Sequence, residues 1–481
     1  MTAGTTASPN DDTLDRGTVL ALVAMALGVF VIANDFTALS VAIPRLESAL
    51  HADLSTVQWV INGYALVFGV MIVTGGRLAD LFGRKRIFMI GSVIFAAFSL
   101  LGGLAPNVEA LIACRALMGI GGAMMWPAVL GMTYAILPDS KAGLAGGLIL
   151  GVAGIGNAVG PMLGGVLTEE LSWRYVFFLN VPITLFAMWV TARQVPEMSV
   201  DSAERTIDYP GIVTVTVGAV AILLALDNGP SQGFGSPLIL ALFGLGALSL
   251  LAFAWVEGRR RDDGGLVPLD VLRSRVFAAS CLTVLLMSAI FFSALVYLPQ
   301  FFSKVLGFSA IESGAGLLPL MGVFTVTSFI AGGLYDRLGS RTTVCTGALF
   351  LGVGIFVLSM LDADTGYWAL VPGMVILGVG VGLFYSSITT TAVTALDPSR
   401  SSLAGGIVYM CQIAGGAIGL GLNTAIIASA SSLPSGISSA FKVDAVLAGV
   451  GFVVAFVYCG SPAEHADHRR RLVRHLHRAH A

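Results

Sequence analysis

Two charged residues stand in stretches otherwise built for hydrocarbon. Asp35 follows the charge-free run 17–34, and Arg115 precedes the charge-free run 116–138. In a helix rising about 1.5 Å per residue, Asp35 sits roughly 26 Å beyond the start of its run. A carboxylate there is costly unless it faces a cavity or takes a proton. An apolar site favours the neutral acid, so Asp35 is placed to exchange protons near neutral pH. The same group attracts cations, and one site serving both proton and cationic substrate couples them by competition. The alternative is an acid held by neighbouring hydroxyls or lying near the lipid headgroups. Arg115 keeps its charge and needs an anion, carbonyls or water around it. It reads as a fixed positive charge that tunes the carboxylate, or as a tie between helices.

Two segments share a pattern of charge. Residues 76–86 read GRLADLFGRKR and residues 332–341 read GGLYDRLGSR, both fitting G-x-L-x-D-x-x-G-x-[KR]. Asp80 with Arg84 and Lys85, and Asp336 with Arg337 and Arg341, are placed to latch two halves together at one end. They would part when that end opens. Anchoring by basic residues at a membrane surface is the plainer reading, but it does not call for the acids. Gly156, Gly160 and Gly164 recur at i, i+4, i+8. That gives a side-chain-free stripe for close helix approach, and Pro161 within it removes a backbone hydrogen bond. Ser309 and Glu312 have the spacing of a capping box, so Glu312 is expected to cap a helix. The five cysteines stand singly, without metal-ligand spacing, and read as packing residues. No nucleophile–base pair, metal cluster or nucleotide motif is apparent, so neither catalytic residues nor a metal are expected.

What must position these groups is a set of long apolar helices. Hydrophobic residues make up 56% of the 481 and charged residues 11%, where a soluble domain carries roughly 25% charged. This excludes a soluble enzyme, a disordered chain and a nucleic-acid binder, and describes a polytopic membrane protein. Fourteen stretches of 18 or more residues lack Asp, Glu, Lys and Arg: 17–34, 54–76, 87–108, 116–138, 142–168, 175–192, 209–226, 228–256, 276–303, 313–335, 342–361, 365–396, 401–441 and 445–463. Each can hold one helix across a hydrocarbon core about 30 Å thick. The thirteenth is long, but Ser431–Gly436 reads as a loop, so one span is expected there. Strands of a barrel would alternate and be about half as long. With the N-terminus cytoplasmic, 21 of the 26 Lys and Arg fall inside and four (Arg45, Arg174, Lys304, Lys442) outside. This predicts both termini in the cytoplasm. Residues 1–15 are polar and acidic and show no cleavable signal. The tail 464–481 is basic and is expected to lie on anionic lipid.

The two like loops follow spans 2 and 10, an offset of eight. Internal repeats are the usual construction of secondary transporters. The first loop resembles the signature loop of the major facilitator superfamily, whose fold repeats every six helices. An offset of eight then implies two helices, spans 7 and 8, inserted between the halves. Residues 35–44, DFTALSVAIP, are similar to the pattern D-x-T-x-x-N-V-A-L-P, and 115–123, RALMGIGGA, to R-x-x-Q-G-x-G-x-A. Gly147, Gly156, Gly160, Pro161, Gly164 and Gly165 are spaced as in G-x8-G-x3-G-P-x2-G-G, which in that superfamily marks exporters. Residues 173–182, WRYVFFLNVP, resemble the entry to its sixth helix. Together these resemble the fourteen-helix drug:proton antiporter branch. Leu81, Met118 and Ser40 stand where those patterns have Arg, Gln and Asn.

The resemblance implies an all-α membrane fold of two six-helix bundles, 1–206 and 276–463. An inserted pair with a basic loop falls at 207–275, and the basic tail at 464–481. It implies that spans 1, 4, 9 and 12 line a central cavity. Met124 and Trp126 come from span 4, Phe291, Phe292 and Tyr297 from span 9, and Phe384 and Tyr385 from span 12. Such side chains suit flat, apolar or cationic compounds and can repack around them. The implied function is proton-coupled efflux of amphiphilic or cationic small molecules by alternating access, in a bacterial cell membrane. Protons are the coupling ion and no cofactor is implied. The expected partners are a substrate and membrane lipids, not nucleic acid, and the chain is expected to be monomeric. A proton-coupled importer, an exporter of a lipid or endogenous metabolite, and a non-transporting membrane sensor are the alternatives.

Overall fold

The computed structural model describes residues 15–39, 42–197, 208–233, 235–259, 271 and 273–459. The basic tail and Ser40 lie outside the described residues. Among those described there is no strand. The long helices are α1 (Arg16–Ala38), α2 (Leu54–Phe82), α3 (Arg84–Gly103), α4 (Val108–Ile136), α5 (Ala142–Glu170), α6 (Arg174–Gln194), α7 (Tyr209–Gln232), α8 (Pro237–Arg259), α9 (Arg275–Lys304), α10 (Leu318–Leu338), α11 (Ser340–Leu358), α12 (Tyr367–Thr394), α13 (Ser401–Ala428) and α14 (Leu433–Tyr458). Among the described residues, thirteen helices are long and apolar enough to cross a membrane. The expected seventh span falls in α7, whose apolar part is Tyr209–Ala225.

Polar side chains mark the helix starts by taking backbone N–H groups that the first turn leaves unpaired. Asp15 accepts from Thr18 N at 3.1 Å and Asn107 from Ala110 N at 2.9 Å. Ser309 and Glu312 form the expected capping box at the short helix Ala310–Ala315. In both repeated loops the last glycine is the joint between two helices. Gly83 has φ 100° and Gly339 φ 84°, backbone that a residue with a Cβ rarely adopts.

The packing repeats with the expected offset of eight. Helix α1 packs on α5 and α6, α2 on α4, and α3 on α4 and α6. In the second half α9 packs on α13 and α14, α10 on α12, and α11 on α12 and α14. The two bundles meet along two seams, α2 against α13 and α5 against α10. Helices α7 and α8 pack on each other, and α7 also touches α2 and α13.

One boundary differs from the sequence expectation. Ser432 accepts from Ser435 N, and α14 starts at Leu433 with Pro434 in its first turn. The segment expected as an outer loop is therefore mostly helix, and Lys442 and Asp444 ride on α14. Proline fits a first turn, where its missing N–H would have had no partner.

Glycines set the approach of α5 to both neighbours. A Cβ on Gly156 would lie 2.9 Å from the Phe30 carbonyl oxygen, and one on Gly160 would lie 3.0 Å from that of Asn34. On Gly164 it would overlap the Ala38 carbonyl. The stripe thus lies on the stretch of α1 that carries Asp35. Gly147 faces the other way, where a Cβ would meet Ser328 O of α10 at 2.8 Å. Gly165 is buried, and α5 runs through Pro161 without a break. Gly164→Ala is expected to lose about 1–3 kcal/mol through overpacking and to lower the thermal midpoint in detergent. Gly322→Ala, where a Cβ meets nothing within 4 Å, is the control expected to leave the midpoint unchanged or raised.

Candidate functional site

The first cluster is the one built on Asp35. Both Asp35 and Arg115 have side chains fully withdrawn from solvent. Arg115 Nη1 donates to Asp35 Oδ2, and Asn180 Nδ2 of α6 donates to Asp35 Oδ1 at 2.9 Å. Arg115 Nε donates to Val60 O of α2 at 2.7 Å, and its guanidinium lies 4.2 Å from the centre of the Tyr64 ring. Asn180 also reaches Ser99 Oγ of α3 at 3.2 Å. One acid and one fixed cation therefore tie five helices if α1, α2, α3, α4 and α6 are followed through these bonds. Arg115 Nη2, Asn180 Oδ1 and the Tyr64 hydroxyl are buried without partners. They are spare polar capacity beside the pair. Asn180 and Tyr64 were not expected here, since a neutral side chain inside an apolar run gives no charge signal.

The second cluster joins the bundles at the end carrying both repeated loops. Asp80 accepts from Leu403 N at 2.8 Å and from Ser402 N at 3.3 Å, in the first turn of α13. Asp336 accepts from Gly143 N at 2.9 Å, in the first turn of α5. Each repeated acid thus occupies the amino end of a helix from the opposite half. Unpaired N–H groups and the positive end of the helix dipole favour an anion there. Asp80 is 3% exposed, whereas Asp336 remains open to solvent. Arg84 Nε holds Asp80 at 3.2 Å, and its Nη1 donates to Gly131 O at 2.9 Å. Its Nη2 reaches Pro398 O of the other half. The turn Pro398–Arg400 that presents this carbonyl is capped by Asp397. The Ser399 hydroxyl and N–H hold the Asp397 carboxyl below its usual range. Tyr134 and Thr390 add a 3.0 Å hydroxyl contact across the interface.

Three of the six residues expected in this latch do not cross it. Lys85 donates to Ala192 O and Val195 O at 3.0 and 2.7 Å, closing the end of α6 in its own half. Arg341 lies over the Phe456 ring of α14 at 4.2 Å, and Arg337 is exposed. Lys85 finds unpaired carbonyls at a helix C-terminus, which favour a cation.

The expected cavity residues divide into groups. Trp126 meets Tyr409 of α13 with ring centres 4.6 Å apart, and Phe68 of α2 lies 5.5 Å from Tyr409. Phe36 lies 5.3 Å from Phe68 and 4.8 Å from Tyr64, so rings run from the ion pair to the interface. Phe291 and Tyr385 pack together at 5.7 Å, and the Tyr385 hydroxyl bonds Ser288 at 2.8 Å. Phe292 faces Gly416, Tyr297 bonds Thr424 at 2.6 Å, Met124 packs at Gly91, and the backbone of Phe384 meets Gly347.

A third polar cluster, in the second bundle, was not foreseen. Asp444 of α14 is fully buried, and Asn423 Nδ2 of α13 reaches its Oδ2 at 2.9 Å and Ser293 Oγ of α9 at 2.7 Å. No group of three or more His, Cys, Asp or Glu able to hold a metal occurs among the described residues.

A family model described as Major Facilitator Superfamily matches residues 25–419 and 320–477. The chain is 34% identical over 448 residues to the puromycin resistance protein of Streptomyces alboniger, covering 92% of this chain and 88% of that one. It is 31% identical over 408 residues to the tetracenomycin C resistance and export protein of Streptomyces glaucescens, covering 85% and 76%. A multidrug transporter protein of Bacillus subtilis (strain 168) is 31% identical over 390 residues, covering 81% and 71%. Among solved structures, the human organic anion transporter MFSD10 matches in fold with a TM-score of 0.66 at 14% identity, over 91% of this chain and 99% of that one.

Arg115→Met leaves Asp35 buried without its cation and is expected to cost about 3–5 kcal/mol. The double variant Asp35→Asn/Arg115→Met should recover most of that loss of thermal midpoint. Asp80→Asn removes the charge on the first turn of α13, worth roughly 0.3–2 kcal/mol. Spin labels on exposed Arg86 and Leu338, in opposite halves, should then show the separated population rising by about 2- to 30-fold.

Proposed function

Since the chain belongs to the Major Facilitator Superfamily, we propose that it is a proton-coupled efflux transporter, working by alternating access. Its substrates are amphiphilic or cationic small molecules. The observation that carries this reading is the Asp35–Arg115–Asn180 cluster. It holds a titratable acid against a cation that cannot titrate, at the centre of one bundle. Relatives named for resistance and export match most of the chain and support the outward direction.

The ionised acid draws α1, α4 and α6 together through Arg115 and Asn180. A proton on Asp35 removes the ion pair, while Arg115 keeps its bond to Val60 and its place over Tyr64. The two packings therefore differ in proton affinity, which lets the proton shift their populations. A cationic substrate competes with both the proton and the guanidinium for the same carboxylate. The rings of Phe36, Tyr64, Phe68, Trp126 and Tyr409 continue from that acid to the interface, offering faces to flat or cationic compounds.

The excess of Lys and Arg beside the repeated loops assigns that end to the cytoplasm. The described conformation is then the one closed to the cytoplasm, with Asp80 and Asp336 on the amino ends of α13 and α5. One proton crossing a potential of ~150 mV supplies about 3.5 kcal/mol. That supports a substrate gradient of a few hundred-fold, at about 1.4 kcal/mol per decade. The protein acts as a monomer in a bacterial cell membrane, with the proton as its coupling ion and no other cofactor.

The test is reconstitution in liposomes holding a pH-sensitive dye, with ethidium added as a lipophilic cation. The wild type is expected to move protons against ethidium, and Asp35→Asn to lose that movement while still exchanging ethidium for ethidium. Equal proton movement in both proteins would remove Asp35 from the coupling.

A further inference from the structure

We propose that Asp444, with Asn423 and Ser293, is a second proton-binding site, set in the C-terminal bundle. The inference deepens the antiport reading and rests on it for its role in transport. Asp444 lies about 17 Å along α14 from Leu433, in the middle of the helix. Its exposure is 0%. A carboxylate at that depth needs either a cation or a proton.

No cation serves it among the described residues. Its neighbours are α9, α11 and α13. Arg275 and Lys304 stand exposed at the two ends of α9. Arg341 of α11 is engaged with Phe456, and Lys442, two residues away on α14, is exposed on another face. The cysteines of these helices (Cys281, Cys345, Cys411 and Cys459) carry no positive charge. The titratable group that faces Asp444 is the Tyr297 phenol, itself bonded to Thr424 at 2.6 Å.

The hydrogen bonds around the acid leave two acceptors unmet. Asn423 Nδ2 supplies both Asp444 Oδ2 and Ser293 Oγ. Asp444 Oδ1 and Asn423 Oδ1 are both buried without a partner. A proton on Oδ1 removes the uncompensated charge and one of the two orphaned acceptors. It neutralises the acid and adds a donor to those that Asn423 and Ser293 supply. Asp35 differs in having a guanidinium against it.

The repeat places this cluster opposite the first. Under the offset of eight, α9 corresponds to α1 and α14 to α6. The first bundle has its acid on α1 and its amide on α6, whereas the second has a hydroxyl on α9 and its acid on α14. When the C-terminal bundle admits water, the O–H bond of Asp444 breaks and the proton passes to that water. The carboxylate then takes a proton from water on the opposite side in the next half-cycle.

Two measurements test this on the full chain. Infrared difference spectra of wild type minus Asp444→Asn, in H2O and D2O, are expected to show a deuterium-sensitive carboxylic acid band at neutral pH. A difference holding only carboxylate bands overturns the site. If Asp444→Asn does not fold, Asn423→Ala retains the acid and should move that band; an unmoved spectrum overturns the site equally. In liposomes, the number of protons moved per ethidium is expected to fall to about half in Asp444→Asn with exchange retained. An unchanged ratio overturns the coupling role. If wild type moves ethidium without protons, the antiport reading fails, and the infrared band still decides whether Asp444 holds a proton.

Discussion

A carboxylate cannot be left alone in hydrocarbon, and this constraint governs how the helices are arranged. Among the aspartates withdrawn from water, three meet the constraint in different ways. Asp35 has a guanidinium, Asp80 has the amino end of a helix with an arginine beside it, and Asp444 has an amide and a hydroxyl. The partner chosen decides what the acid can do. A guanidinium makes a pair that a proton or a cation can break. A helix end makes a joint that holds only while the two bundles touch. Neutral donors leave the charge uncompensated, so the acid must change protonation state to remain buried.

Packing repeats more faithfully than chemistry. The helix pairs of the first bundle recur in the second with the same offset, and both repeated loops turn on a glycine of positive φ. The polar centres do not recur in the same way. Arg115 has no basic counterpart at the centre of the second bundle among the described residues. Close packing of this kind depends on small residues and backbone shape, which both halves retain. A buried polar group depends on one or two partners, so it can be moved to another helix if its partners move with it.

Much of this was legible in the chain itself. Asp35 and Arg115 stood out because a single charge interrupts a long apolar run. The repeated loops gave the offset of eight, and Gly156, Gly160 and Gly164 gave the stripe against α1. Asp444 was hidden by the same reasoning that found Asp35. With Lys442 two residues away and a Ser–Pro–Gly segment just before, it read as part of a loop. Only the fold shows the lysine exposed and the acid buried on different faces of α14. The latch was legible as a cluster but not as a set of pairs. Sequence cannot tell that Lys85 meets the carbonyl end of α6 while Arg84 reaches the other bundle. Nor does sequence tell which neighbour an aromatic ring meets: Trp126 reaches Tyr409 of the other bundle, while Phe291 packs on Tyr385 of its own.

The two seams between the bundles are equivalent under the repeat, yet α7 lies against α2 and α13, and among the described residues no long helix comparably covers α5 and α10. Apolar side chains on those two helices, among them Ile155, Met162, Val326 and Ile330, are exposed. The surrounding lipid therefore meets a lopsided molecule. One flank is shuttered by an accessory helix pair, and the other is in direct touch with the acyl chains. Compounds dissolved in the bilayer approach a transporter that has, in effect, a front and a back.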